Sequence, residues 1–272
     1  MRNHYVRAAA ASAGGNYVTD NLVFHLDAAN TSCYSGSGTT VNSLVNNHTN
    51  DHFGDLQWSS DSGGNTGGYF YVDGTQDTSL QFPYSTDFEA FAYAVGSSSV
   101  TVTDYSWEWW WYGDAAASTS NNSHELAVYY MLAPTTTDGH AISGSSGLSA
   151  TNKGNYMFYR LNGNERSYIR DSSNTNVIQE MVTWTGFRWQ HYVLTRSGNS
   201  TNFYRDNGTP VSNTQASHTK YSNTKKLNIL TRYHTAYRMV GRLGVMRFYQ
   251  GKALTAAEVE KNYDAEKSRY GH

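Results

Sequence analysis

The sequence predicts an all-β protein, an antiparallel sandwich or barrel, closed by one short C-terminal α-helix. Three observations carry that expectation. Short segments of alternating apolar and polar residues recur along the chain, turn-forming tracts separate them, and a single helix-start signal stands near the C-terminus. A chain of 272 residues is one large β domain or two small ones.

The alternating segments fall at 22–26, 69–72, 105–112, 126–132, 156–161, 190–195 and 240–249. Between them lie tracts such as Ser59-Ser-Asp-Ser-Gly-Gly-Asn-Thr-Gly-Gly68 and Ser143-Gly-Ser-Ser-Gly147. Asn207-Gly208 follows Phe203-Tyr204 and predicts a hairpin, because Asn and Gly tolerate the positive φ of a tight turn. No repeat of fixed period is present, which excludes propellers and solenoids. Thr255-Ala-Ala-Glu258 reads as a capping box opening a helix that runs to Arg269, with Val259 and Tyr263 on one face. Residues 1–20 read as an N-terminal extension or arm, and 21–272 as one domain. The first thirteen residues combine basic and small side chains, but alanine replaces the Leu, Ile or Phe of a secretion signal's apolar core. No stretch approaches the roughly 18 apolar residues of a membrane-spanning helix, so no membrane insertion is expected.

Composition narrows the function. Charged residues make up 15% of the chain, well under the roughly 25% of an ordinary soluble domain, and Gly, Tyr, Ser, Thr and Asn fill the difference. Aromatic residues reach 14%, which excludes general disorder, and three prolines exclude a proline-rich stalk. A net charge of −2 gives no electrostatic reason to bind nucleic acid or an anionic membrane. One cysteine, Cys33, forbids an internal disulfide and reads as an incidental small residue. Five Asn-x-Ser/Thr sequons, at Asn30, Asn47, Asn121, Asn199 and Asn207, match what an Asn- and Ser/Thr-rich chain produces by chance.

Several motifs resemble one family in order along the chain. Leu22-Val-Phe-His-Leu-Asp-Ala-Ala-Asn30 with Ser35-Gly-Ser-Gly-Thr-Thr40 looks like an opening strand and turn, and Tyr69-Phe-Tyr-Val-Asp-Gly-Thr-Gln-Asp77 like an aromatic strand with an Asp-Gly turn. Ser106-Trp-Glu-Trp-Trp-Trp-Tyr112 looks like a central strand, and Arg188-Trp-Gln-His-Tyr-Val-Leu-Thr-Arg196 like a Trp-x-His strand. The ending, Gly241-Arg-Leu-Gly-Val-Met-Arg-Phe-Tyr249 and then Ala253-Leu-Thr-Ala-Ala-Glu-Val259, is the most specific. Together they resemble laminin-G-like members of the concanavalin A-like lectin/glucanase superfamily. The resemblance implies a jelly roll of two antiparallel sheets packed face to face. It also implies a setting, since members of this style occur in virus and bacteriophage structural proteins. The superfamily includes lectins and glycan hydrolases as well, so fold alone does not assign activity.

The strand at 105–112 carries the candidate chemistry. Alternation puts Tyr105, Trp107, Trp109 and Trp111 on one face and Ser106, Glu108, Trp110 and Tyr112 on the other. The resemblance assigns the first set to the core. Glu108, Trp110 and Tyr112 are then the candidate carbohydrate-binding residues, with rings to stack on sugar and a carboxylate to accept its hydroxyls. The competing expectation is that Trp110 packs in the core or in an interface, where Tyr and Trp are enriched.

Catalysis is not expected. A retaining glycosidase needs two carboxylates about 5–5.5 Å apart. The Glu-x-Asp-x-x-Glu of jelly-roll glucanases is missing, because Trp110 and Tyr112 stand where Glu108 would need a partner, and Glu125 has none either. No cofactor is expected. Calcium ligands could come from Asp27, Asp73 and Asp77, although each also fits a turn or strand end, and the ten histidines show no zinc-binding spacing. His191 reads as structural. The sequence-level expectation is a non-enzymatic virion structural protein, a capsid decoration, head-fibre or tail-associated jelly roll at the virion surface. Its partners would be other virion proteins and copies of itself, with a docking arm at 1–20. The alternatives are a carbohydrate-binding adhesion module for host surface glycan, located outside the cell, and a glycan hydrolase.

Overall fold

The computed structural model describes residues 16–54, 56–60, 67–73, 80–83, 85, 87, 104–113, 129–130, 155–161, 164–170, 176–183, 187–214, 227–230 and 240–272. In chain order the strands are β1 (Leu22–Asp27), β2 (His52–Phe53), β3 (Gln57–Ser59), β4 (Tyr69–Asp73), β5 (Leu80–Phe82), β6 (Tyr105–Gly113) and β7 (Tyr129–Tyr130). There follow β8 (Asn155–Leu161), β9 (Asn164–Arg170), β10 (Asn176–Thr183), β11 (Trp189–Ser197), β12 (Ser200–Arg205), β13 (Val211–Thr214), β14 (Leu227–Ile229) and β15 (Val240–Gln250). Helix α1 (Ala256–Glu266) and a 3₁₀ turn at Lys267–Tyr270 end the chain.

Two antiparallel sheets result. The first runs β13-β12-β11-β6-β15-β4-β3, with β1 also paired to β15, and the second runs β10-β9-β8-β7-β14-β5-β2. The main core includes Phe24, Phe70, Trp107, Trp109, Leu194 and Phe248 from the first sheet, with Leu80, Phe82, Leu227 and Ile229 from the second. Phe24 and Phe82 meet edge to face across the gap, 4.9 Å between centroids. Trp107 stacks on Phe248 at 4.6 Å and Trp109 on Tyr192 at 5.7 Å, in the offset geometries aromatic rings prefer. This is the sandwich predicted from the alternation. Tyr105, Trp107, Trp109 and Trp111 all lie in its core.

Several local expectations shift. Within the predicted strand at 126–132 the described residues are Tyr129–Tyr130, which form β7; the rest lies outside them. The hairpin after Phe203-Tyr204 exists, since β12 pairs with β13, but its positive-φ residues are Asp206 and Asn207 (48° and 56°). The Gly208 amide closes that turn on the Arg205 carbonyl at 2.8 Å. The helix begins at Ala256, behind the predicted capping box: the Thr255 hydroxyl accepts from the Glu258 amide, and the Thr255 amide donates to the Glu258 carboxylate. Residues 16–20, assigned above to the arm, are held against the body. The Val18 amide donates to Asn262 Oδ1 (2.7 Å), the Tyr249 hydroxyl donates to the Val18 carbonyl (3.0 Å), and Asp20 pairs with Lys252 (3.1 Å). Residues 1–15 lie outside the described residues.

Candidate functional site

β6 sits between β11 and β15, with Glu108 opposite Val193 on one side and Arg247 on the other. One face of this sheet packs on the second sheet. The other is covered over much of its area by α1 and the C-terminal turn, so the strand is buried along nearly its whole length. A bulge in β15 places Gly244 and Val245 opposite Trp110. Gly244 is required there, because a Cβ would lie 2.1 Å from the Tyr270 hydroxyl that packs over it.

Beneath α1 the covered face carries a buried ionic hub. Arg247 donates from one guanidinium nitrogen to Glu108 Oε1 at 2.8 Å and from the other to Glu266 Oε1, all three side chains being fully buried. Asn262 donates to Glu108 Oε2 (2.6 Å), and His191 Nε2 lies 3.0 Å from Glu108 Oε1. Arg269 holds both oxygens of Asp27, at 2.6 and 3.0 Å, and the Arg247 guanidinium lies over the Tyr17 ring. Burial alone would raise the Glu108 carboxyl, but the Arg247 charge and the bonds from His191 and Asn262 hold it down to about 2. Glu266 goes the other way, since burial outweighs Arg247 and Arg269. Burial lowers His25 well below its ordinary value, helped by the same two arginines.

This geometry corrects the expectation for Glu108 and Trp110. Neither has exposed surface, so neither can meet a sugar in this arrangement. Trp110 is stacked under Tyr270 at 4.3 Å and Tyr263 at 5.7 Å, with His191 at 4.9 Å. It is a packing residue of the helix interface, the competing expectation for it. The reason is that the covered face buries Asn262 and Glu266 alongside Val259; a helix stripe that is mostly polar gives no apolar signal in the sequence. Asp27 is committed to Arg269 and to the Ala29 amide, which does not fit a calcium ligand; the Asp73 side chain and Asp77 lie outside the described residues. Among the described residues no group of three acidic, His or Cys side chains could hold a metal ion. His191 is buried against Glu108, in keeping with a structural role, and Glu125 lies outside the described residues.

Tyr112, the third candidate, is half-buried, and beyond the reach of α1 it joins residues that the sequence reading missed. Pairing sets Arg242 beside Tyr112 on one side and Tyr71 on the other, with Tyr69 two residues along β4 on the same face. All four side chains are partly exposed. The Arg242 guanidinium lies 4.6 Å from the Tyr112 centroid and 5.1 Å from that of Tyr69, within cation–π range. Trp189 backs the group, meeting Tyr112 at 5.9 Å and Tyr69 at 6.1 Å, edge to face in both cases. The result is a strip of three phenols and one guanidinium across three neighbouring strands. The alternation of 69–72 could have signalled Tyr69 and Tyr71, but nothing local pairs them with Arg242.

Comparison with known proteins agrees with the fold. The family model described as "Concanavalin A-like lectin/glucanases superfamily" matches residues 94–260. Among solved structures the chain is similar to the binding domain of Paraclostridial Mosquitocidal Protein 1, with TM-score 0.59 and 14% identity over 90% of this chain and 52% of that one. It is also similar to the botulinum neurotoxin serotype G binding domain, with TM-score 0.60 and 11% identity over 91% of this chain and 52% of that one. The chain thus spans about half the length of these structures, and at such identities the likeness concerns the fold. No curated protein matches the chain. With the family match covering more than half of the residues, and a two-sheet sandwich ending in the capped helix, the chain belongs to the concanavalin A-like lectin/glucanases superfamily.

Proposed function

We propose that this protein is a non-catalytic carbohydrate-recognition module, and that the strip of Tyr69, Tyr71, Arg242 and Tyr112 is the surface that meets the sugar. The observation that carries the reading is the strip itself: partly exposed phenol rings on neighbouring strands, two of them within cation–π distance of the Arg242 guanidinium. Phenol rings stack on the C–H faces of pyranose rings, and their hydroxyls and the guanidinium exchange hydrogen bonds with sugar hydroxyls. Host surface glycan is the expected partner class. The similar structures are binding or receptor-binding domains, which supports recognition over turnover. Against hydrolysis stands the state of Glu108: a carboxylate sealed from solvent and held ionised by Arg247 cannot deliver a proton to a glycosidic oxygen. The test is a glycan array probed with the wild type and with Tyr112→Ala and Arg242→Ala, each checked for folding by circular dichroism. Binding by the wild type that falls at least about tenfold in both folded variants supports the reading. A wild type that binds no glycan overturns it.

A second reading is a structural role at a virion surface, among copies of itself and other virion proteins. One observation favours it: β13, the last strand in the order of its sheet, exposes Val211, Ser212, Asn213 and Thr214, none of them charged. Such a strip meets a neighbour without desolvating ions. Deleting residues 1–15 leaves the anchored 16–20 in place, and unchanged incorporation into particles would refute a docking arm.

A further inference from the structure

Strand pairing sets one row of residues across four strands: Trp189 on β11 opposite Tyr112 on β6, Tyr112 opposite Arg242 on β15, and Arg242 opposite Tyr71 on β4. Trp189 is the buried member of that row, 8% exposed, while the other three are partly open. Its indole meets Tyr112 at 5.9 Å with the rings inclined by 68°, and Tyr69 at 6.1 Å with an inclination of 60°. β6 and β15 lie between β11 and β4, so the meeting with Tyr69 is made by the side chains and not by pairing. The same two phenols flank the Arg242 guanidinium, at 4.6 and 5.1 Å. A side chain that a ligand must immobilise subtracts from affinity, and edge-to-face contact with one indole favours one ring plane for each phenol beforehand. Trp189 is in turn held by the end of the chain. Tyr270 packs against it at 4.8 Å, and His272 Nε2 lies 2.7 Å from the Trp189 carbonyl oxygen. That C-terminal turn is closed by the His272 amide, which donates to the Lys267 carbonyl at 2.9 Å, with Gly271 left-handed at φ +79°.

We infer that Trp189 is a positioning residue of the carbohydrate site, one that sets the ring planes of Tyr69 and Tyr112 and so the affinity of the strip without touching the sugar; this rests on the strip being that site. The groups that meet the ligand stay in place when Trp189 is replaced, so its loss weakens every ligand to a similar degree and leaves their order of preference unchanged. What acts is an aromatic edge backed by the C-terminal turn, so a smaller aromatic ring preserves the effect and a flexible aliphatic side chain does not.

The experiment uses the full chain as wild type, Trp189→Met, Trp189→Phe and Val259→Ala. Met fills the space without an aromatic ring. Val259 belongs to a separate packed cluster with Leu22, Val193 and Tyr249, so its truncation is a control for lost stability alone. Each form is melted, then titrated well below its Tm against galacto-, gluco- and manno-configured oligosaccharides. Trp189→Met should bind at least about tenfold more weakly than the wild type with the same ranking of ligands, and Trp189→Phe should recover most of the loss. Val259→Ala should melt lower and bind like the wild type. If the wild type binds and Trp189→Met binds equally well, the inference is overturned while the strip survives. A changed ranking makes Trp189 a contact residue, a Phe variant as weak as Met removes the ring's part, and a Val259→Ala loss matching that of Met reduces the effect to stability; each overturns the inference. Should Trp189→Met fail to fold, His272→Ala, which releases the Trp189 carbonyl, replaces it: binding at least about threefold weaker is then expected, and unchanged binding overturns the inference. A wild type that binds no sugar overturns both readings together.

Discussion

Replacing Arg247 with Met tests whether the buried hub is what fastens α1 to the sheet. Met fills similar length with no charge, leaving Glu108 and Glu266 fully buried without their shared cation. Breaking a buried ion pair by removing one partner costs about 3–5 kcal/mol, because the remaining ion stays desolvated. Glu108 keeps its bonds from Asn262 and His191, whereas Glu266 loses its hub partner. The loss at neutral pH should therefore lie within that range, a fall of about 6–20 °C at the roughly 2–4 °C per kcal/mol expected for a large domain. Its pH dependence is the sharper signature. In the wild type Glu108 sits at about 2, so its contribution is present above the ordinary 4.5 and lost as pH falls from there toward 2. In the variant both carboxyls are raised, so the folded state binds protons more readily than the unfolded chain, and the penalty shrinks as pH drops from 7 toward 4.5. Adding Glu108→Gln and Glu266→Gln to the Met variant removes the stranded charges and should recover much of the loss. Urea denaturation at pH 7 and 4.5 decides. A penalty under about 1 kcal/mol, or one that does not change with pH, would refute the reasoning.

Three further outcomes follow from the same packing. Trp110→Ala should cost about 3–5 kcal/mol in chemical denaturation, since it empties the stack under Tyr263 and Tyr270; an exposed ring would cost far less. Gly244→Ala should destabilise by about 1–3 kcal/mol in the same assay, with a smaller penalty in a Tyr270→Phe background, because the added Cβ meets the Tyr270 hydroxyl. His25 is held neutral, its folded value lying well below 6.5, so the unfolded chain takes up the proton first. Stability should accordingly be lost as pH falls below about 6.5, and His25→Phe should flatten that part of a Tm-against-pH profile.

The fold was largely legible because its signals are local. The alternation in β1, β6 and β15, the Thr255–Glu258 capping box and the hairpin turn around Asn207, shifted one residue toward Asp206, each act within a few residues. Which face of β6 forms the sandwich core was legible as well. What was not legible is that the opposite face is also covered. α1 reaches that face through Asn262 and Glu266, polar residues to which the sequence reading gave no role and which meet Glu108 and Arg247 beneath them. A polar residue at a buried position gives no periodic signal, and its partner lies 154 residues away in the case of Asn262 and Glu108. The strip was hidden for a related reason: Tyr69, Arg242 and Tyr112 come together only through sheet pairing.

One alternation produces both the hub and the strip. Along β6 the residues on the face away from the sandwich core are Ser106, Glu108, Trp110 and Tyr112, and the covering by α1 and the C-terminal turn ends between the last two. Trp110 is sealed while Tyr112, two residues on, is partly open. Arg242 and Arg247 repeat the division on β15: Arg247 is buried in the hub, and Arg242 is spread between two phenols. The bulge at Gly244 and Val245 separates them and lets Tyr270 fill the boundary. The strip therefore rides on strands whose adjacent residues are clamped by buried ion pairs and stacked rings, an arrangement that would limit the freedom its side chains lose on binding the proposed ligand. Under the proposed function, the hub would act on recognition through rigidity rather than contact. A hub variant that stays folded should retain the ligand preference of the strip and lose affinity only in proportion to the loosening of β6 and β15.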